Sequence, residues 1–328
     1  MIQKLVQEHY GFKVTKYEKL SVGAGSNTYH ITAGNGNEYI LKNANLNEAN
    51  NPQNEPKLCE YLFAKDIPVS EFIKDVNGDY IWENDNDVYH MQKFVFGKNY
   101  DMHCAPDWLM VKMPQMLGKI HAALRDYEDL PIGIGENFFK YMTPQTAIVS
   151  YRKSYEYALE NNYSNLADDL SYRIELMSRF NVPKINLSNL TLSNTHGDFF
   201  ISQLICSDTK IAAVIDWTTA CIHPIVWEII RSYIYGSPRS KGGNIVISDL
   251  IEYTRNYLKY APLNEYDLKM MPYVFYYQIS VCDYYNQYFQ STANNRHIYM
   301  EQAVLSTKLM KWFEKHVDEL SEALLSLI

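Results

Sequence analysis

The sequence predicts an α+β protein made of an antiparallel sheet with one helix over residues 1–95 and a mostly helical part over residues 98–328. In the first part, apolar and polar residues alternate between turn signals, a pattern typical of half-buried strands. In the second part, apolar residues recur at helical spacing. With 328 residues the chain is long enough for two domains, and the character of the sequence changes after Gly97.

The predicted sheet begins with the strand YEKLSV and a hairpin. The hairpin strands TYHITA and EYILKNA flank GNGN, whose Asn-Gly step is a strong turn signal. The segment EPKLCEYLFAKD then carries Leu58, Leu62 and Phe63 at helical spacing, so one helix follows the third strand. Turn residues separate the remaining predicted strands, which are VSEFIKD, DYIWE and DVYHMQKFV.

The second part is predicted to consist mainly of helices. In LGKIHAAL the apolar residues share one helical face, and Pro114 upstream either kinks a longer helix or begins a shorter one. Residues 144–180 and 246–326 also read as helices. The run 273–289 carries aromatic residues on all faces, which favours core packing, with a substrate wall as the alternative. In that wall Asp283 would pair with an amine.

Composition argues against several classes of protein. The formal net charge is −8, and no run of Lys and Arg points to nucleic acid. The sequence lacks the apolar core of a signal peptide and any stretch of about 18 apolar residues that could span a membrane. The five cysteines are scattered, which fits neither a disulfide framework nor a zinc site. We therefore expect a cytoplasmic protein that binds neither nucleic acid nor membranes.

The clearest chemical signal is the segment NTHGDFFISQLI. It places His196, Gly197 and Asp198 on a loop before a strand, with Gln203 five residues after the aspartate. The strand LIC, the turn SDTK and the strand IAAVID then form a predicted hairpin. A hairpin of this length returns Asp216 to the neighbourhood of Asp198 and Gln203, so three oxygen-bearing side chains converge.

These oxygens predict metal binding and proton transfer. Mg²⁺ prefers hard oxygen ligands and is often shared between one or two side chains and substrate phosphates. The remaining aspartate could accept the proton of a hydroxyl nucleophile. Gly197 would allow a loop conformation that a Cβ forbids. We expect His196 to hold the loop by hydrogen bonds rather than to act as a base.

A glycine-containing turn in the first part matches this chemistry. Gly23, Gly25, Ser26 and Asn27 lie between two predicted strands, where free backbone N–H groups could cover phosphates. Taken alone, such a turn is more often an ordinary connection between strands, so its interpretation depends on the residues that follow.

A lysine and a glutamate complete the predicted phosphate site. Lys42 lies on the strand after the glycine turn, where its ammonium could pair with phosphate oxygens. Glu55, near the start of the next helix, could hold the lysine in place, with Glu48 and Glu60 as alternatives. A glycine turn, a strand lysine, a helix glutamate and two aspartates are the parts that protein kinases use for phosphoryl transfer.

Together these motifs resemble the aminoglycoside phosphotransferase and choline kinase group, small-molecule kinases with a protein-kinase-like bilobal fold. That group carries a His-Gly-Asp loop with an Asn five residues later and an Ile-Asp-Trp/Phe segment, which here read HGDFFISQ and VIDWTTA. The resemblance extends to YILK, NEPKLCEYLFAKDIPVSEFI, YHMQKFVFGK, LGKIHAAL and HPIVWEIIRSYI. It implies transfer of the γ-phosphoryl group of ATP or GTP, with Mg²⁺, to a hydroxyl of a small molecule.

The resemblance also implies roles for individual residues. Asp198 would be the catalytic base and Asp216 a Mg²⁺ ligand. Lys42 would pair with the phosphates, and Glu55 would hold Lys42. The glycine turn would cover the phosphates.

Two further positions have roles by the same resemblance. By this resemblance residues 91–97 would form the hinge between the two lobes, and the segment from Met91 to Phe94, which includes Gln92, would run past the adenine. Gln203 stands where the group has Asn, and its amide oxygen lies one methylene further from the backbone. Because Mg²⁺ requires near-ideal octahedral geometry, the backbone or a water must absorb this extra length if Gln203 is the second metal ligand.

Other side chains near the motifs have structural interpretations. Trp217 and Trp227 are expected in the core, and His121 is expected to be a packed histidine. Glu228 and Arg231 form either a buried pair that supports the loop or an exposed pair one helical turn apart.

The acceptor stays open between an aminoglycoside, choline or ethanolamine, homoserine and a sugar, because fold does not fix substrate. The negative charge favours an amine-bearing acceptor. The rival hypothesis is a non-catalytic, spore-coat-like relative that binds a partner on the same scaffold. A protein kinase is less favoured, because the chain has no H-R-D, D-F-G or A-P-E segment.

Overall fold

The computed structural model describes residues 2–20, 26–45, 53–84, 87–291 and 296–328. Its chain divides into two units. The first unit comprises Met1–Asn99 and Ser202–Ala220, and the second comprises Tyr100–Ile201 and Cys221–Ile328. Among the described helices, none is both long enough and apolar enough to cross a membrane.

The first unit is built on an antiparallel sheet. Its strands are β1 (Val14–Leu20), β2 (Ser26–Ala33), β3 (Glu38–Asn45), β4 (Phe72–Ile73), β5 (Ile81–Asn84) and β6 (Asp87–Lys93). The spatial order is β1-β2-β3-β6-β4, and β5 also pairs with β6. Helix α1 (Ile2–Tyr10) precedes the sheet, and helix α2 (Asn54–Phe63) follows the third strand as predicted. The predicted β2–β3 hairpin is present, and Gly36 in its turn has a φ of 85°.

Helix α1 corrects the prediction of one helix in this part of the chain, because the structure has two. The helix has nine residues and buries only Ile2 and Val6, so its periodic signal is short. These two side chains pack into a core with residues of the sheet, including Val14, Ile31, Leu41, Trp82, Tyr89 and Met91. Long-range packing on the sheet therefore supplies the stability that the helix lacks alone.

The second unit is mostly helical, as predicted. Before the His-Gly-Asp loop it contains α3 (Asp107–Leu124), α4 (Glu136–Tyr141), α5 (Pro144–Glu160), α6 (Ser164–Ser178) and the strand β7 (Leu192–Thr195). The hairpin strands β8 (Leu204–Ser207) and β9 (Lys210–Val214) follow. The chain then forms β10 (Cys221–Pro224), α7 (Ile225–Gly236), α8 (Ile247–Leu258), α9 (Glu265–Val281), α10 (Tyr284–Gln290) and α11 (His297–Leu325). Pro114 lies inside a continuous α3.

The β8–β9 hairpin belongs to the first unit. By its position in the sequence it falls within the predicted helical part, residues 98–328. Cys206 forms an antiparallel bridge with Lys98, and Val214 forms a parallel bridge with Val69. The Val214 N–H also donates a hydrogen bond to the Pro68 carbonyl at 2.8 Å. These are pairings between segments more than 100 residues apart, which local patterns in the sequence do not encode.

Arg173 on α6 is a fully buried cation in the helical unit. Its guanidinium lies 5.3 Å from the centre of the Tyr151 ring and 5.3 Å from that of the Tyr285 ring. It donates hydrogen bonds of 2.6 to 3.0 Å to four groups on α5 and α11, which are Tyr151 Oη, Ala303 O, Ser306 Oγ and Thr307 Oγ1. One side chain thus ties three helices together.

We expect Arg173→Ala to lower the free energy of unfolding by about 3 kcal/mol, because it leaves a cavity and removes these hydrogen bonds together. Urea unfolding followed by circular dichroism measures the loss. Arg255→Ala is the matched control, since Arg255 is about half exposed and its ion pair with Glu252 is within one helix; there the change should stay within about 0.5 kcal/mol. Equal losses in both variants would contradict the structural role of Arg173.

Candidate active site

The predicted hairpin forms, and it ends at the two candidate metal ligands. β8 and β9 pair antiparallel with Leu204 opposite Val214. Beyond this pair, the Ile215 N–H donates to the Gln203 carbonyl at 2.9 Å. Asp216 follows directly in the chain, so Gln203 and Asp216 lie at the same end of the hairpin.

Asp216 has a left-handed backbone conformation, with φ 67° and ψ 62°. This conformation is uncommon outside glycine, although Asp and Asn adopt it more readily than other residues. Its Oδ1 accepts a hydrogen bond from the Thr218 hydroxyl at 3.1 Å. The next backbone N–H, that of Trp217, donates to Glu55 Oε1 at 3.1 Å. Strained residues held by such contacts cluster at functional sites, which motivates the metal-ligand hypothesis for Asp216.

Glu55 links this turn to the lysine strand. Its side chain is buried on α2, whereas Glu60 on the same helix is exposed and Glu48 lies outside the described residues. Burial raises the pKa of the Glu55 carboxyl, the charge of Lys42 lowers it, and the charge of Asp216 raises it again. The structure therefore brings Lys42, Glu55 and Asp216 within electrostatic reach of one another.

His90 is a neighbour of this cluster that sequence analysis missed. It lies directly opposite Lys42 in the β3–β6 pairing. Burial, with a smaller contribution from the Lys42 charge, lowers the pKa of His90 to about 3. The ring therefore stays neutral near neutral pH. The signal that could have found it is the two-residue period of β6, which puts His90 on the same face as the predicted site residue Gln92.

The two predicted adenine-segment residues have different surroundings. Gln92 is buried, and its Nε2 lies 3.4 Å from His90 Nε2. The Phe94 ring stacks on His30 of β2 with ring centres 4.2 Å apart. The Phe94 N–H donates to the Glu38 carbonyl at 3.0 Å. Contact of this segment with an adenine stays a prediction.

The predicted glycine turn falls partly outside the described residues. Gly23 and Gly25 lie outside them, while Ser26 and Asn27 are the first residues of β2. Asn27 pairs with Asn43 across the β2–β3 ladder, one residue from Lys42. The end of the turn therefore lies next to the lysine in sheet register.

In the second unit, the His-Gly-Asp loop follows β7, which pairs with β10 through Thr195 and Cys221. Gly197 has a φ of 81°, the left-handed conformation expected of it. His196 is fully buried, and its Nδ1 accepts a hydrogen bond from the Asp198 N–H at 3.3 Å. This hydrogen bond fits the structural role predicted for His196.

Glu228 on α7 anchors the same loop from below. Its Oε1 accepts a hydrogen bond from the Phe199 N–H at 3.1 Å, and its Oε2 lies 2.9 Å from His121 Nε2. The other nitrogen of His121 lies 2.8 Å from the Tyr257 hydroxyl. Burial alone would raise the pKa of Glu228, but the hydrogen bond and charge of His121 lower it to about 2. Glu228 is thus a buried carboxylate that holds the loop backbone.

Arg231, one turn further along α7, contacts the predicted catalytic base. Its Nη2 donates to Asp198 Oδ1 at 2.5 Å. The Arg231 side chain is 10% exposed and the Asp198 side chain 33% exposed. Glu228 and Arg231 are both buried and both support the loop, but each does so through its own partner. Burial and support of the loop agree with the first alternative, but the two residues do not pair with each other as both alternatives expected.

Lys42, Glu55, Gln203 and Asp216 thus belong to the first unit, and Asp198 belongs to the second. The predicted proximity of Asp198 to the end of the hairpin stays a prediction.

The aromatic run 273–289 is core rather than an amine-binding wall. It forms the end of α9 and all but the last residue of α10, and four of its tyrosines are buried: Tyr273, Tyr276, Tyr284 and Tyr285. Asp283 accepts hydrogen bonds from Ser150 at 2.7 Å and Ser154 at 2.8 Å. It also caps α10 by accepting from the Asn286 N–H. Its carboxylate is therefore engaged inside the protein.

The chemistry of the donors at the hairpin end fits Mg²⁺. Asp216 offers a carboxylate and Gln203 an amide oxygen, both hard ligands. Among the described residues, no group of three or more His, Cys, Asp or Glu side chains forms a metal cluster. Mg²⁺ is commonly held by one or two side chains together with substrate phosphates, so a small donor set suits it better than it suits zinc.

His223 on β10 gives this region a pH dependence. Its Nδ1 accepts a hydrogen bond from the Ile134 N–H at 2.8 Å, and burial lowers its pKa from 6.5 to about 4. Between these values the unfolded chain binds a proton that the folded chain does not, so stability falls as the pH falls. The neutral His223 ring contributes its full stability above pH 6.5, and this stability is lost as the pH approaches 4.

We expect His223→Gln to remove this contribution, because a glutamine can accept the Ile134 hydrogen bond without titrating. The measurement is the free energy of unfolding of both proteins at several pH values from 7 to 4. Wild type should lose up to about 1.4 kcal/mol more per pH unit than the variant. Identical pH slopes would show that His223 does not carry the effect.

Comparison with known proteins agrees with the geometry. Residues 16–263 match the family model described as the phosphotransferase enzyme family. Amicoumacin kinase hAmiN, solved in complex with AMP-PNP, Ca²⁺ and Ami, is 14% identical over 97% of this chain and 92% of its own, with a TM-score of 0.65. Spectinomycin phosphotransferase, solved with ADP and spectinomycin, is 13% identical over 100% and 98%, with a TM-score of 0.59. No curated protein matches the chain in sequence.

A third solved structure has the same fold. The microcompartment-associated aminopropanol kinase is 12% identical over 98% of both chains, with a TM-score of 0.65. The fold is therefore that of the protein-kinase-like small-molecule kinases. Because the family model covers most of its length, the chain belongs to the phosphotransferase enzyme family. The family resemblance and the fold class that the sequence predicts are confirmed.

Proposed function

We propose that the protein transfers the γ-phosphoryl group of ATP, in a Mg²⁺-dependent reaction, to a hydroxyl group of a small amine-bearing molecule. The observation that carries the proposal is the cluster of Lys42, Glu55 and Asp216 in a chain of this family. Buried Glu55 lies within electrostatic reach of both Lys42 and Asp216, and the three side chains would supply a phosphate-binding cation, its acidic support and a hard metal ligand. The solved structures with bound AMP-PNP and ADP support a nucleotide co-substrate, and the aminopropanol kinase supports an amine-bearing acceptor.

Each of the predicted site residues has one task in this reaction. Lys42 pairs with phosphate oxygens, and buried Glu55 holds Lys42. Asp216 and Gln203 would hold Mg²⁺, which when bound neutralises charge on the phosphates. Asp198 orients the acceptor hydroxyl and takes its proton as the new O–P bond forms and the bond between the γ-phosphorus and the bridging oxygen breaks. ADP and the phosphorylated acceptor are the products.

Most of the rate enhancement in such a reaction comes from positioning and charge stabilisation rather than from covalent chemistry. A carboxylate whose backbone and side chain are both held therefore suits the task of Asp198. The loop contacts of His196 and Glu228 hold the backbone on both sides of this residue.

The first test is the shift in melting temperature caused by ATP and by GTP, each with and without Mg²⁺. We expect Mg²⁺-dependent stabilisation by ATP. A screen of small alcohols, with amino alcohols and amino sugars beside neutral sugars, then follows ADP release. No stabilisation by either nucleotide would favour a non-catalytic binding protein instead. ADP release that depends only on neutral sugars would correct the acceptor class.

A further inference from the structure

We propose that Arg231 is a positioning residue that fixes the reactive orientation of the Asp198 carboxylate. This inference rests on the proposed function, because it takes Asp198 as the group that receives the hydroxyl proton. Its basis is the 2.5 Å hydrogen bond from Arg231 Nη2 to Asp198 Oδ1. A charge-assisted bond of this kind is stronger and more directional than one between neutral groups.

Three aromatic rings pack around this guanidinium and restrict its movement. Trp227, Arg231 and Tyr235 are spaced four residues apart on α7, so their side chains lie along one face of the helix. The guanidinium carbon lies 5.4 Å from the Trp227 ring centre and 4.8 Å from that of Tyr235. From the catalytic loop itself, Phe200 adds a third ring at 4.8 Å. Every residue of α7 is buried, which restricts movement of the helix.

Among the groups described around the Arg231 guanidinium, the Asp198 carboxylate is the strong hydrogen-bond acceptor and the aromatic rings are weak ones. Nη1 is buried, and among the described residues it has no hydrogen-bond acceptor. Ring faces attract the planar cation but accept hydrogen bonds only weakly. The guanidinium is therefore held in place by three rings, while its charge-assisted hydrogen bond is directed at the carboxylate of Asp198.

The loop contacts divide into two kinds. His196 and Glu228 bind backbone N–H groups on either side of the Asp198 side chain, so they hold the main chain. Arg231 binds the carboxylate, so it holds the side chain. Removing Arg231 should leave the loop in place and remove this restraint on the orientation of the carboxylate, and misplacement of a reacting group by about 1 Å can cost about 100-fold in rate.

The test compares Arg231→Met and Arg231→Lys in steady-state phosphoryl transfer to the acceptor found in the screen. We expect kcat to fall about 100-fold in Arg231→Met and less in Arg231→Lys, because lysine keeps the charge without the planar fork. The KM for nucleotide should not change. Arg239→Met is the matched control, because Arg239 forms an exposed ion pair with Asp249. Wild-type kcat in Arg231→Met would overturn the proposal.

A double-mutant cycle with Asp198→Asn separates positioning from a general structural effect. If Arg231 acts through Asp198, then Arg231→Met should lower the residual rate of Asp198→Asn no further. If the rate losses of the two single variants multiply in the double variant, the proposal is overturned. If Arg231→Met does not fold, Arg231→Lys carries the same cycle.

The NMR signals of the Arg231 guanidinium give a readout that needs no acceptor. Resolved Nη signals in wild type that merge in Asp198→Asn would show that the carboxylate restrains the guanidinium. Such signals in a protein that transfers no phosphate would refute the proposed function and leave the ion pair standing. Signals that are the same in both proteins would refute the inference even in an active enzyme.

Discussion

Asp198→Asn is expected to lower the turnover number about 1000-fold while leaving nucleotide binding intact, because it removes the base and keeps the shape of the side chain. Asparagine cannot take the hydroxyl proton, whereas the residues assigned to the nucleotide belong to another part of the chain. The Asp198 N–H would still donate to His196, so the loop should keep its conformation. The variant should also be less stable than wild type, because the buried guanidinium of Arg231 loses its counter-ion.

The measurement has two arms, initial rates of ADP release with acceptor and the nucleotide-induced shift in melting temperature. Asp208→Asn is the matched control, since Asp208 is an exposed aspartate in the turn of the β8–β9 hairpin with a φ of 53°. Asparagine tolerates that conformation, so this variant should match wild type in both arms. Comparable turnover in Asp198→Asn and wild type would sink the assignment of the base.

The second large effect is expected from Asp216→Asn, which should abolish Mg²⁺-dependent stabilisation by ATP. The change replaces a charged oxygen ligand by a neutral one, and Mg²⁺ binds carboxylates in preference. Asparagine also adopts the left-handed backbone found at Asp216, so the loss would report on the charge rather than on the fold. Turnover should fall with the loss of the metal.

Thermal shifts with ATP, measured over a series of Mg²⁺ concentrations, check this expectation. Asp216→Asn should show the same small shift at every concentration, while Asp208→Asn should respond as wild type does. A full Mg²⁺ response in Asp216→Asn would mean that other residues hold the metal.

Local patterns predicted the elements that carry most of the candidate site residues. The β8–β9 hairpin, the lysine strand, the helix with Glu55 and the conformation of Gly197 each follow from spacing or from a single residue type. These features depend on neighbours within a few residues, or on a turn that is itself legible in the sequence.

Partner choice over long distances could not be predicted. The sequence predicts a pair of Arg231 with Glu228 one turn away, either buried or exposed, yet the partner of Arg231 is Asp198, 33 residues earlier in the chain. The carboxylate of Asp283 looked available for an amine, yet two serines of α5 occupy it. In both cases tertiary packing decides which polar groups are buried together, and neither helical period nor strand alternation contains that information.

Because the β8–β9 hairpin belongs to the first unit, the order in which the chain is synthesised affects how that unit folds. The polypeptide passes from one unit to the other three times, after Asn99, after Ile201 and after Ala220. A ribosome that has released only the first 99 residues has therefore not yet made the last strands of that unit. The first unit becomes complete only after the whole second-unit segment Tyr100–Ile201 has emerged. Truncation at the apparent end of the sheet would consequently yield an unfinished unit, and a complete first unit requires a chain that extends at least to Ala220.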